Sequence, residues 1–263
     1  MSTATTAYGE QTIEVAGRKL RMLEGGSGRT ILMLHHSTGN IGWAPIHEQL
    51  AEQARVVAFD MPGYGQSERP EWAREPRDLA IQLLQALDAM NVSDATLVGA
   101  GLGGFIAAEM ATMNRSRLSS LVLIGAAGLQ PRDGEIVDQM LVDYEEYNKA
   151  GFSDDAAFEK VFGAQASSEV KQLWDFSREM TARITWKPYM FNRRMAPLLS
   201  GIDIPTLIVW GANDAIVPID VAHQYRDAIP GAKLEVVSGA GHLVEFEQPE
   251  KVASLVLAHA GKS

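Results

Sequence analysis

The stretch Thr96 to Ala111, TLVGAGLGGFIAAEMA, holds the residues whose spacing most directly suggests chemistry. Gly99, Gly101 and Gly104 spell G-x-G-x-x-G between an apolar run and a helical one. Glycines at that spacing let backbone amides at a helix start approach a pyrophosphate. In another frame, Gly99-Ala100-Gly101-Leu102-Gly103 matches G-x-S-x-G, a sharp strand-to-helix turn that presents a serine nucleophile, with Gly101 in the serine's place. The dinucleotide frame needs an acidic residue roughly 20 positions further on to hold the ribose hydroxyls. No Asp or Glu lies between Glu109 and Asp133, and several strands precede the motif. The nucleophile-turn frame is preferred, and no cofactor is expected.

Either frame requires a strand before the glycines and a helix after them, and the surrounding pattern supplies both. QTIEVAGRKLRMLEGG alternates around Ala16-Gly17 and reads as a hairpin. TILMLHH, ARVVAFDMP, ATLVGA and LSSLVLIGAAG are short apolar runs, the signature of strands buried on both faces. Between them, WAPIHEQLAEQ has helical spacing, and RDLAIQLLQALDAM places Leu79, Leu83, Leu84, Leu87 and Met90 on one stripe. GFIAAEMATMN reads as the helix after the glycines. The alternation resumes late in the chain with PTLIVWGAND, DVAHQYRDAI, KLEVVSGAGH and PEKVASLVLAHA. An α/β fold follows, with a mostly parallel, doubly wound sheet.

The rhythm breaks from Leu129 to Leu198, where the pattern reads as wholly helical. The expected organisation is a core of residues 1–128 and 199–263, interrupted by a helical cap of residues 129–198 ahead of the next strand. Such an insertion would cover the carboxyl ends of the strands, where open α/β sheets bind ligands. It holds more than half of the chain's Trp, Tyr and Phe. Most of these must form the cap's own core. Trp186 to Phe191, WKPYMF, with Trp186 and Tyr189, is the expected pocket-facing segment, with Trp174 and Met140 next. A small apolar or aromatic substrate is the expected partner.

Composition excludes other classes. The formal net charge is −10 without a basic run, which disfavours nucleic acid. There is no cysteine, hence no disulfide and no thiolate chemistry. The start MSTATTAYGE lacks the charge and apolar pattern of a signal peptide, and no apolar run reaches membrane-spanning length. A soluble cytoplasmic protein is expected; its oligomeric state is not legible. No H-E-x-x-H or clustered metal-ligand pattern occurs.

Four further motifs carry a family resemblance. LMLHHSTG, Leu32 to Gly39, matches a His-Gly oxyanion loop, with His36 where glycine is usual. FDMPGYGQS, Phe59 to Ser67, matches a D-x-x-G-x-G-x-S turn. VWGANDAIVP, Val209 to Pro218, and GAGHLVEFEQPE, Gly239 to Glu250, match the segments that supply a triad acid and a triad histidine. In this order, over nearly the whole chain, the sequence resembles the α/β-hydrolase superfamily, whose chain order is nucleophile, acid, histidine.

The resemblance implies Asp214 as the acid, His242 as the base and Gly101 at the nucleophile position. It implies oxyanion donors at the backbone of Leu102 and near Ser37, and substrate contacts from His36 and Leu243. HHSTG also resembles the oxyanion loop of C–C bond hydrolases acting on ring-cleavage products, which carry tryptophan where this chain has Leu243. The aspartate-nucleophile route of haloalkane dehalogenases and epoxide hydrolases is closed by Gly101.

Glycine tolerates the strained turn and removes the attacking oxygen. His242 oriented by Asp214 could still take a proton from a water seated in the vacated space. Three functions are compatible with this. One is an enzyme hydrolysing or cleaving a small carbonyl compound, an ester, lactone or C–C bond, with His242–Asp214 as general base and no acyl-enzyme. The second is a serine hydrolase whose serine was replaced by Gly101 to trap a ligand. The third is a non-catalytic binder of a small ligand. Ser37 is read as a loop hydroxyl, His35 as structural, Asp60 and Ser67 as holding their turn, and His47, His223 and His259 as surface residues.

Overall fold

The computed structural model describes residues 7–261; the first six residues, part of the start read for a leader, lie outside it. Eight strands form one sheet among the described residues: β1 (Tyr8–Val15), β2 (Arg18–Gly25), β3 (Thr30–Leu34), β4 (Arg55–Phe59), β5 (Ala95–Ala100), β6 (Leu118–Ile124), β7 (Thr206–Gly211) and β8 (Lys233–Val237). Their order is β1-β2-β4-β3-β5-β6-β7-β8. The β1–β2 hairpin pairs antiparallel in full register about Ala16-Gly17, and β2 meets β4 antiparallel. All later pairings are parallel. The order reverses between β3 and β5, the position where open α/β sheets place their ligands.

Alternation within the central strands divides the core in two. Leu121, Leu123 and Ile208 face one layer, with α2 (Pro76–Ala89), α3 (Leu102–Met113) and α7 (Ile219–Ala228). Val122, Ile124 and Val209 face the other, with α1 (Pro45–Ala51) and α9 (Pro249–Ala260). A parallel sheet covered on both faces must read as continuous apolar strands, which is why these runs are visible in the sequence. On α2, Leu79, Leu83 and Leu87 are fully buried, while Leu84 and Met90 pack at the margin. Among the described residues no helix is long and apolar enough to cross a membrane.

Between β6 and β7 lie α4 (Tyr144–Ala150), α5 (Asp155–Phe162), α6 (Ser168–Thr185) and a 3-10 turn (Ala196–Gly201). The expectation of a wholly helical insertion is corrected at both ends. Residues 129–143 hold no helix, and QPRDGE, with Pro131, Asp133 and Gly134, supplies the turn formers that prevent one. Residues 186–195 form an irregular turn around Pro188, closed by a bridge between Trp186 and Tyr189. Two histidines expected at the surface are buried. His47 accepts the Ala44 N–H at the start of α1, and His259 lies beside the Pro205 carbonyl. His223 is exposed as expected. Ser67 donates to the Asp60 carbonyl, and Asp60 accepts from the Gln66 N–H and Arg21, so both hold their turn.

Candidate active site

The glycine-rich stretch forms the β5–α3 turn. Gly101 stands at its apex with φ +54° and ψ −114°, a left-handed conformation that strains any residue with a side chain. Gly103 sits so close to β3 that a Cβ there would lie 2.4 Å from the Leu34 carbonyl oxygen. This close packing accounts for a glycine of the run without a bound pyrophosphate. Leu102 is the first residue of α3, so its N–H has no intrahelical acceptor and points out of the helix start.

Asp214 lies between β7 and α7. Its Oδ1 accepts from the backbone N–H groups of Ile216 and Val217, both at 2.9 Å. These bonds fix the carboxylate so that Oδ2 accepts from His242 Nδ1–H, also at 2.9 Å. His242 follows β8, and both side chains are almost wholly buried. Burial alone would lower the His242 pKa; the charge and hydrogen bond of Asp214, aided by Glu245, outweigh it and raise the pKa above its usual value. With Nδ1–H committed to Asp214, Nε2 is the atom left to exchange protons.

His36 changes the reading of the nucleophile turn. It follows β3, is buried, and its Nε2–H donates to Glu245 Oε1 at 2.7 Å. Its ring meets that of His242 edge to face, with centroids 4.9 Å apart. A Cβ built on Gly101 would lie 2.4 Å from His36 Nδ1 and 3.2 Å from His242 Nε2. The space vacated by the missing serine is therefore filled by an imidazole, not left open for a water at that point. Glycine at 101 and histidine at 36 are two halves of one steric arrangement. His36 Nδ1 is itself buried with no hydrogen-bond partner among the described residues.

Glu245, absent from the sequence-based site, is the other finding. It sits on α8 (Val244–Glu247), a single turn directly after His242. Burial alone would raise its pKa, but the neighbouring His36 overrides this and holds the carboxyl below the usual range. The signal was the carboxylate three residues beyond His242, in a segment too short for any periodicity.

Two small cavities meet at His36. One, of about 10 Å³ counted as room for the centre of a water molecule, is bounded by His36, His242, Ser37, Tyr147, Asn148 and Leu243 among others; that is space for about one water. The other, of about 40 Å³ on the same measure, adds Glu245, His47, Asn40, Phe162 and Phe246. Ser37 Oγ donates to Gln139 Oε1 at 3.1 Å, so its hydroxyl is engaged away from His242. Tyr147 hydrogen bonds to Ser37, and its hydroxyl pKa is pushed up to about 12, chiefly by burial. His35 is structural: its Nδ1–H donates to the His36 carbonyl and its Nε2 accepts from the Met61 N–H.

Of the expected substrate contacts, His36 and Leu243 line both cavities, and the other four do not line either. Trp174 packs inside the cap's own cluster with Phe152 and Phe158. Tyr189 donates its hydroxyl to the Val137 carbonyl and accepts from the Gln139 N–H. Trp186 is 68% exposed and borders a separate groove with Arg183 and Arg194. Met140 lies in the non-helical stretch before α4, half-buried. Periodicity locates aromatics on a helix but does not tell which of a cap's two sides they serve.

A family model described as alpha/beta hydrolase fold matches residues 29–249. The chain belongs to this family. It is 29% identical over 262 residues to the 2-hydroxymuconate semialdehyde hydrolase of Pseudomonas sp. (strain CF600), covering 93% of this chain and 91% of that protein. It is 27% identical over 283 residues to the 2-hydroxy-6-oxononadienedioate/2-hydroxy-6-oxononatrienedioate hydrolase of Burkholderia vietnamiensis (strain G4 / LMG 22486), covering 97% and 95%. A meta-cleavage product hydrolase structure superposes with a TM-score of 0.80 at 21% identity, covering 96% of this chain and 98% of that one, a likeness of fold. The family's relatives include named hydrolases, and in this chain Asp214 and His242 stand on the loops that follow β7 and β8.

Proposed function

We propose that this chain hydrolyses or cleaves a small apolar carbonyl compound, an ester, a lactone or a C–C bond beside a carbonyl, without an acyl-enzyme at Gly101. His242, oriented by Asp214, is the general base that takes a proton from water and returns it to the leaving atom. The oxyanion is met by the Leu102 N–H and the backbone near Ser37. The observation that carries this reading is the imidazole of His36 in the nucleophile's place beside an intact Asp214–His242 pair. The substrate class draws support from relatives that are hydrolases of 2-hydroxymuconate semialdehyde and of the nonadienedioate compound, and from the apolar lining by Leu243, Phe162 and Phe246. Because the cavities hold little more than water, a substrate of several carbons requires the cap to move.

The trapped-serine reading loses ground here. A serine at position 101 would put its Cβ 2.4 Å from His36 Nδ1, so relating this site to an ordinary one by a single substitution requires the His36 ring to move as well. The binder reading leaves unexplained why two imidazole–carboxylate pairs are kept out of water at a considerable desolvation cost. The test is turnover of an ester, lactone and vinylogous 1,5-diketone panel by the native chain and by His242→Ala. Hydrolysis that disappears in the variant supports the reading; a native chain inert to the whole panel overturns it.

A further inference from the structure

We infer that the His36–Glu245 pair is a second catalytic acid–base group, holding the attacking water through His36 Nδ1 and accepting the second of that water's two protons. The inference rests on the hydrolytic reading and deepens it. Its geometry is independent of the family pattern, since His36 departs from that pattern and Glu245 is no part of the triad.

Three observations carry it. Glu245 accepts the Nε2–H of His36, which leaves Nδ1 as the ring nitrogen that can carry a lone pair. That lone pair is buried and has no partner among the described residues, although a buried ring nitrogen left unpaired is unfavourable. Nδ1 and His242 Nε2 lie near one point, 2.4 and 3.2 Å from where a Gly101 Cβ would stand. Both rings also bound the one-water cavity. A single water there can direct one O–H to each imidazole, leaving an oxygen lone pair for the carbonyl. The titratable groups surrounding His36 are Glu245 on α8, His242 and Tyr147 around the small cavity, His47 on α1 and His35 beside it.

The chemistry moves both protons off one water. As the water oxygen bonds to the carbonyl carbon, one O–H breaks and its proton passes to His242 Nε2. When the bond to the leaving group breaks, its electron pair goes to the leaving atom, which takes that proton back from His242. The other product is a carboxylic acid still carrying the water's second proton. It ionises by giving this proton to His36 Nδ1, which releases it to solvent. The net change is water plus acyl compound to carboxylate, protonated leaving group and one proton. Carboxylate formation beside Glu245 and Asp214 favours expulsion of the product.

The decisive variant is His36→Gln, which can still donate to Glu245 but cannot take a proton. It should lower kcat about 100-fold with KM changed less than threefold and thermal stability retained. His36→Ala should lose activity similarly and regain at least tenfold with added imidazole, a rescue that a merely structural histidine would not give. Activity of His36→Gln within threefold of native, while His242→Ala is inactive, overturns the second group and leaves the hydrolytic reading intact. If the native chain turns over nothing in the panel, the hydrolytic reading fails, and imidazole 15N spectra judge His36 alone. Assigned by its loss in His36→Gln, its signal should report Nε2–H and a lone pair on Nδ1 at neutral pH. An Nδ1–H tautomer overturns the inference whatever the activity.

Discussion

Asp214–His242 and Glu245–His36 are built alike and held differently. In each, a buried carboxylate accepts one ring N–H and leaves the other nitrogen facing Gly101. Asp214 is pinned by two backbone amides, whereas Glu245 Oε2 is buried without a hydrogen-bond partner among the described residues. The first pair has its carboxylate fixed by the turn that follows β7. The second stands against Gly101, and its support is less complete. Pre-organisation of a dyad therefore resides in what holds the carboxylate more than in the imidazole.

That contrast can be broken from either side. The largest effect is expected at the pinned pair: Asp214→Asn should reduce kcat about 10⁴-fold by reversing the His242 tautomer. In the native chain kcat/KM should rise with pH through an ionisation above the ordinary histidine value, since the base must be neutral and its pKa is raised. A falling profile would contradict His242 as base.

The steric half of the comparison is tested by exchange. Gly101→Ser alone should neither label with a serine-directed phosphonate nor fold as stably, because the new side chain meets His36 in a strained turn costing about 1–3 kcal/mol. Adding His36→Gly and Glu245→Gln should restore space, with stoichiometric labelling and burst hydrolysis of activated esters. Labelling of the single variant at the same rate would refute the reciprocal fit. Glu245→Gln alone should cost about 10–100-fold in kcat, less than Asp214→Asn; a reversal of that order would invalidate the comparison.

A smaller effect concerns stability. Burial lowers His47 to about 4, with Glu245 pulling the other way. Its folded pKa lies below the unfolded 6.5, so the unfolded chain binds the extra proton. The stability it contributes is full above about pH 6.5 and is lost as pH falls towards 4, about 3 kcal/mol in all. The urea midpoint should drop over that window, and His47→Gln should flatten the drop by one proton's worth. The smallest effect is at Trp186→Ala, where turnover should stay within twofold because the ring faces a different groove.

The sheet was legible because strands covered on both faces cannot avoid reading as apolar runs, and the glycine turn because its helix and strand flank it. Asp214 and His242 were reachable through motif order. The departures at positions 36 and 101 were each visible, but their compensation is a contact between loops that no spacing rule encodes. Glu245 was hidden by α8, four residues long and without a period. Trp174 and Trp186 were misjudged for a different reason: an aromatic-rich cap presents the same pattern whichever side its rings serve.

Glu247, at the end of α8, ties the site to the cap. Its Oε1 accepts from the Gly241 N–H at 2.7 Å and the Ser153 N–H at 3.1 Å, and its Oε2 accepts from Ser153 Oγ. Leu243 N–H donates to the Gly151 carbonyl in the same seam. One carboxylate thus clamps the turn after α4 to the residue preceding His242. Any displacement of the turn after α4 therefore pulls on the loop that carries His242. The placement of His242 and the seating of the segment after α4 are thereby coupled mechanically through one short seam.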